Sequence, residues 1–340
     1  MITASELLIM VVSTIIIAAF GIIGGLYLMG IDRKLTAHMQ ARVGPPIHQP
    51  FTDVRKLLIK ESIVPENAIP WLFNAAPVVA LASTVIILLY IPIGNTMPVL
   101  GAFGDLVLVM YLLTIPALAL VAGGFASGSP YATIGAQREM VTMMAYEFPL
   151  AIVVIGIAWR LSAAGLAEPF SLGTIAGNPI WGLVGPIGII GCLLLFFVLV
   201  VVMPGELSRI PADTPEAETE LAGGLLVEYS GRNLAMFYIT QGAKTLVMAA
   251  VVVAIFLPWN ISSFIAMPAA AAFIADLVFF FVKVILVMFF AISLLRVGMA
   301  RFRITQVFSL YWLYLGVIGL IGLFLLMSDA LLLSGGGGLL

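Results

Sequence analysis

The sequence predicts an all-α polytopic membrane protein: about eight transmembrane helices, both termini external, and a short amphipathic interfacial helix. Three observations carry that expectation. Of 340 residues, 62% are hydrophobic and 9% charged, with a mean hydropathy of +1.19, too few polar groups to cover a soluble core of this size. The apolar runs exceed about 18 residues and do not alternate as barrel strands do, so helices that satisfy their own backbone hydrogen bonds are the structure that suits lipid. The basic residues, finally, fall almost entirely in alternate connections.

The first apolar run, roughly Leu7 to Met29, has no basic n-region and no small-residue cleavage site, and reads as a retained helix and not a signal peptide. Helices are expected at about 5–30, 70–93, 103–126, 138–160, 182–204, 232–257, 270–294 and 307–331. The connection after the first carries Arg33, Lys34, Arg42, Arg55, Lys56 and Lys60. Arg138 follows the third helix, Arg209 and Arg232 lie around the fifth connection, and Arg296, Arg301 and Arg303 precede the eighth helix. The other connections hold only Arg160. That bias makes the basic side cytoplasmic, puts both ends outside, and places the chain in the cell membrane. Residues 1–331 form one transmembrane domain whose platform is built from loops 31–69, 127–138, 205–231 and 295–306, and 332–340 read as a flexible tail. In "PFTDVRKLLIKE" Phe51, Val54 and Leu58 recur at helical spacing with Asp53, Lys56 and Lys60 turned away, the pattern of an interfacial helix. No transporter-type internal repeat is present.

Redox cofactors are not expected in this chain alone. Cys192 is the only cysteine, whereas an iron–sulfur cluster needs about four thiolates. His38 and His48 lie in the basic loop, away from any depth at which a haem would be ligated. No metal site and no catalytic residue is expected, and no nucleic-acid partner.

Charge inside lipid is the informative signal, since an ionisable group at helix centre costs about 2.5–3.5 kcal/mol on insertion scales. Lys244 lies about twelve residues into the sixth helix, near 18 Å from its start. Lys283 is midway along the seventh, with Asp276 seven residues before it on the same face, either an ion pair or part of a polar axis. Glu139 reads either as a capping acid at a helix N-terminus or as part of a proton path. Glu147, beside Tyr146 and before Pro149, reads as a proton relay, because the proline frees a carbonyl and apolar surroundings favour a neutral carboxyl. Glu206, Asp213, Glu216, Glu218, Glu220 and Glu228, six of seventeen acids, crowd the fifth connection. A solvated loop is one reading. The small and apolar residues of "AETELAGGLL", and Glu216 and Glu220 at i and i+4, favour a packed cluster that titrates as a set.

The segments "IDRKLTAHMQARVGPP", "QPFTDVRKLLIKE", "YEFPL", "PADTPEAETELAGGLLVEYSG" and "RFRITQ" closely resemble, in this order, those of the respiratory complex I subunit called subunit 1 or NuoH. The shortened stretch from Gly44 to Gln49 is similar to the form found in energy-converting membrane-bound [NiFe] hydrogenases of the Ech and formate hydrogenlyase type, which use no quinone. The resemblance implies a membrane-anchor and ion-translocation-coupling subunit, non-catalytic by itself. Its implied partners are a [NiFe]-hydrogenase-like large subunit, a small iron–sulfur subunit, a ferredoxin-like iron–sulfur subunit, an antiporter-like membrane subunit and membrane lipids. The iron–sulfur clusters and [NiFe] centre would belong to those partners. Arg33, Lys34, Arg42, Asp53, Arg55, Lys56 and Glu61 become a docking and gating surface. Glu139, Glu147, Asp213, Glu216, Glu218, Glu220 and Glu228 become the entry of a proton or sodium path, continued by Lys244 and the Asp276–Lys283 pair. A quinone-binding subunit of complex I and a free-standing ion or solute transporter are the alternatives.

Overall fold

A computed structural model describes residues 4–265 and 267–335. Among them eight helical segments are long and apolar enough to span a membrane. In chain order the helices are α1 (Ala4–Met39), α2 (Gln49–Ile59), α3 (Pro70–Leu88), α4 (Leu106–Ala126), α5 (Pro130–Ala163), α6 (Leu172–Gly177), α7 (Pro186–Glu206), α8 (Glu218–Leu221), α9 (Gly231–Phe256), α10 (Ala269–Met288), α11 (Leu294–Gly298), α12 (Ile304–Phe308) and α13 (Gly316–Gly335). π-helical turns at Phe289–Ser293 and Ser309–Leu315 join α10 to α11 and α12 to α13, so each set forms one span.

Local chemistry explains where the bounds differ from the expected ones. α3 stops at Leu88, five residues early, because Pro92 has no N–H and keeps the residue before it out of helical geometry. α4 starts late, at Leu106, where the Asp105 carboxylate caps it by accepting from Leu108 N at 2.8 Å. α5 starts eight residues early. Pro130 occupies its first turn, and Gly135 lets the chain segments around Pro215 and Gly224 lie directly against it, a Cβ there meeting Pro215 O at 2.8 Å. The expected tail is partly helix: 332–335 extend α13, and 336–340 lie outside the described residues.

α9 is the centre of the bundle. It touches α1, α2, α3, α7 and α10, and from Ala243 to Phe256 every side chain is buried. Its closest neighbour is α1, where Gly25 and Gly242 bring the two backbones together; a Cβ on Gly25 would lie 2.5 Å from the Gly242 carbonyl. The segment between α7 and α9 is a folded cover, not a solvated loop. Asp213, Thr214, Ala217, Leu221 and Leu225 are buried, and Tyr229 stacks on Phe73 with centroids 4.1 Å apart and donates to the Phe73 carbonyl at 3.1 Å.

α2 packs on α1 and α9, with Val54 buried and Phe51 edge-on to Tyr27 at 4.8 Å. Two details correct the helical-wheel expectation. Asp53 turns inward to Arg33, at 2.9 Å, and Leu58 is exposed. An available guanidinium outweighs the simple division into polar and apolar faces.

Candidate functional site

α5, the end of α7, the cover segment and α9 converge on a cavity of about 60 Å³. Its polar lining is Glu139, Glu206, Ser208, Glu216, Tyr238, Thr240, Gln241 and Lys244. That volume accommodates a few water molecules, each needing roughly 10–15 Å³ by this measure.

The geometry follows from the helix positions. Because α5 begins at Pro130, Glu139 lies more than two turns inside it, is 1% exposed, and has no capping role. Ser208, just beyond the end of α7, donates to Glu139 Oε2 at 3.3 Å. Lys244 reaches from α9 to the last residue of α7: its Nζ lies 2.7 Å from Glu206 Oε1 and donates to the Glu206 carbonyl, also at 2.7 Å. Both residues are buried, so each charge depends on the other. Gln241, one turn before Lys244, donates to Glu216 Oε1 at 3.3 Å. Through space Glu139 is acted on by Lys244, Glu206 and Glu216, and the deeper Glu147 by Glu206 and Lys244. Glu147 Oε1 and the neighbouring Tyr146 hydroxyl are buried with no hydrogen-bond partner among the described residues. A set of acids coupled this closely titrates together.

Outside the spans the electrostatics has clear causes. Burial pushes the Glu216 carboxyl above its ordinary value of 4.5; Arg209 opposes this, while Asp213 and Glu218 add to it. Burial likewise raises Asp213, against the pull of Arg301, whose Nε lies 2.9 Å from its Oδ2. Burial lowers the Arg209 guanidinium, with Asp32 and Glu216 opposing. For Asp53 burial pushes upward, but hydrogen bonds from Arg33 and Gln49 and the charges of Arg33 and Lys56 prevail, and its carboxyl sits below the ordinary 3.8.

The expected acidic cluster therefore divides. Glu216 faces the cavity from a turn, outside any helix, so its i,i+4 relation with Glu220 does not form. Glu218 and Glu220 face out, and Glu220 accepts from Arg138 at 2.6 Å. Asp213 pairs with Arg301 at the surface of the cover, and Glu228 is half-buried away from the cavity lining. The reason is the close packing at Gly135 and Gly224, which pins the cover at Pro215 and points its two ends in different directions.

Asp276 and Lys283 do not join this site or each other. Asp276 accepts from Ser262 N at 2.9 Å and Ser262 Oγ at 2.5 Å, and Lys283 donates to the Leu257 and Trp259 carbonyls at 2.8 and 2.7 Å. Both fasten the segment that follows α9: Asp276 takes up the two Ser262 donors, and Lys283 satisfies carbonyls at and just beyond the helix end. On the platform, Arg33 pairs with Asp53, Lys34 is half-buried, and Arg42, Arg55, Lys56 and Glu61 are exposed.

Sequence reasoning counted Glu206 among the crowded acids and Arg209 among the basic residues of the same connection, gave neither a partner, and assigned no role to Tyr238. Glu206 ends an apolar run, and nothing in the sequence pairs it with Lys244, 38 residues on. A second buried pair went unread as well. Arg160, on α5, lies 3.9 Å from Asp329, on α13, and Asp329 accepts from Gly185 N at the start of α7 at 2.8 Å.

Comparison with known proteins identifies the family. The sequence profile of the NADH dehydrogenase family matches residues 11–327. The chain is 33% identical over 301 residues to an H-type membrane component of the NADH-quinone oxidoreductase of Rhizobium etli, covering 83% of this chain and 82% of that one. It is 33% identical over 306 residues to the corresponding H-type component of the NADH-quinone oxidoreductase of Geobacillus sp. (strain WCH70), covering 86% and 85%. Among solved structures, a chain of the membrane-bound sulfane sulfur reductase, an archaeal respiratory membrane complex, superposes with a TM-score of 0.81 at 29% identity, covering 93% of this chain and 99% of that chain. A profile match over nearly the whole chain, with relatives of this identity and an eight-span bundle, means that the chain belongs to the NADH dehydrogenase family of complex I subunit 1 (NuoH) proteins, membrane subunits of complex I-like respiratory complexes.

Proposed function

We propose that this chain is the membrane-anchor and ion-translocation-coupling subunit of a ferredoxin-linked, energy-converting [NiFe] hydrogenase in the cell membrane, its basic connections facing the cytoplasm and both ends outside. The observation that carries the coupling role is the convergence of Glu139, Glu206, Glu216 and Lys244 on one water-sized cavity beneath the basic-face cover. Electron transfer in attached iron–sulfur and hydrogenase-like subunits changes the field at Glu216. That change alters the proton distribution over the coupled acids, reaches Glu147, and passes protons or sodium ions on to an antiporter-like membrane neighbour. The chain performs no redox chemistry of its own.

The hydrogenase assignment rests on the short Gly44–Gln49 segment. A second reading, the quinone-binding subunit of a respiratory complex I, is favoured by the names of the bacterial relatives. Purification of the intact complex from native membranes separates the two. Nickel together with ferredoxin-driven hydrogen evolution supports the first reading, whereas quinone reduction blocked by quinone-site inhibitors, with no nickel, would replace it with the second. A chain that purifies alone and transports a solute would overturn both.

A further inference from the structure

We propose that Tyr238 is the positioning residue that separates the carboxylate cavity from the docking platform, and that the Arg33–Asp53 pair holds it in place. Tyr238, Gln241 and Lys244 stand on successive turns of α9 and all line the cavity. Behind the Tyr238 ring lies the platform. Arg33, from α1, donates through Nη2 to the Tyr238 hydroxyl, and its guanidinium carbon is 5.7 Å from the ring centroid. The other arm of the guanidinium, Nη1, lies 2.9 Å from Asp53 Oδ2, and Asp53 Oδ1 accepts from Gln49 Nε2 at 2.9 Å. Asp53 and Gln49 both belong to α2, whose Arg55 and Lys56 are exposed. The ring itself packs with Leu26, Met29 and Val54, so α1, α2 and α9 meet at this one side chain.

A guanidinium shared between a carboxylate and a phenol can be drawn away by a third acceptor. The exposed charges of α2 and the segments flanking it are mostly basic, Arg42, Arg55, Lys56 and Lys60 against Glu61. The platform thus suits an acidic segment of a partner subunit, and a carboxylate that this segment moves onto α2 when electrons enter the complex competes with Asp53 and Tyr238 for Arg33. Loss of that grip frees the ring and joins the cavity to water at the platform. The partner clause rests on the proposed function; the wall formed by Tyr238 does not.

The test is cysteine accessibility in the intact complex, measured without electron donor. Ser208→Cys, in a Cys192→Ala background, places a thiol in the cavity lining, and a small cationic methanethiosulfonate reagent reports its exposure. Labelling is expected to be slow with Tyr238 and Arg33 present and about tenfold faster in Tyr238→Ala and Arg33→Gln. Tyr238→Phe, which keeps the ring, is expected between them, and Arg33→Lys, which keeps a donor, is expected to restore slow labelling. Equal rates in all of these backgrounds would overturn the proposal. If Tyr238→Ala does not assemble, Arg33→Gln and Tyr238→Phe decide the matter. A quinone-reducing complex with the expected labelling would overturn the proposed function and leave this wall standing; a hydrogenase complex with unchanged labelling would do the reverse.

Discussion

Removing both members of the Lys244–Glu206 pair should cost clearly less than the two single removals added together. At 2.7 Å the gross attraction is about 6 kcal/mol for an effective dielectric constant near 20. Extracting two ions from water costs several kcal/mol each, which consumes most of that gain. The side chains are only 8% and 1% exposed, so solvent cannot rescue a charge left alone. Lys244→Met and Glu206→Gln are therefore each expected to destabilise by about 3–5 kcal/mol. The double variant should cost at least about 2 kcal/mol less than the sum of the singles. The assay is a double-mutant cycle on unfolding in mixed micelles, with assembly of the complex scored in parallel. Simple additivity would refute the claim that the two residues form one buried unit.

Other consequences are as specific. Gly25→Val should destabilise the α1–α9 crossing by at least about 1–3 kcal/mol and reduce assembled complex, because the new Cβ meets backbone and not a movable side chain. Arg160→Met leaves Asp329 with only the Gly185 N–H and should cost about 3 kcal/mol, seen as a lower melting temperature. Arg138→Ala, by contrast, removes a partly exposed pair with Glu220 and should change stability by no more than about 1 kcal/mol in the same melt. Burial raises Glu216 above 4.5, so its neutral form favours the fold below that pH, and this contribution is lost as pH rises through the raised value. Glu216→Gln should accordingly flatten the stability-versus-pH curve above 4.5. Asp53 has the opposite sign: its lowered value keeps the Arg33 link through neutral pH, and the link is lost only in acid below 3.8.

The spans were legible because lipid imposes a single rule, a long apolar run, and each of the eight satisfies it. Their ends were less so. Only Pro92 and the Asp105 cap marked the true limits around the α3–α4 connection, while the early start of α5 depended on Gly135 meeting a segment some eighty residues away. For the site, Glu139, Glu147, Glu216 and Lys244 stood out as charges in apolar surroundings. Glu206 did not, since an acid at the end of an apolar run looks like any membrane-surface residue until α9 brings Lys244 against it. Lys283 carried the same signal as Lys244, yet it serves backbone carbonyls at the end of α9. Burial of a charge is written in local sequence; the identity of its partner is a property of the packed bundle.

Glu139 offers the most direct test of the coupling role, because it sits between the cover and the Glu206–Lys244 pair. In proteoliposomes containing the intact complex and reduced ferredoxin, ion uptake and electron transfer can be measured together for Glu139→Gln. Electron transfer should persist while the number of ions moved per electron falls towards zero. Ion movement at the unaltered ratio would contradict a path through this cavity.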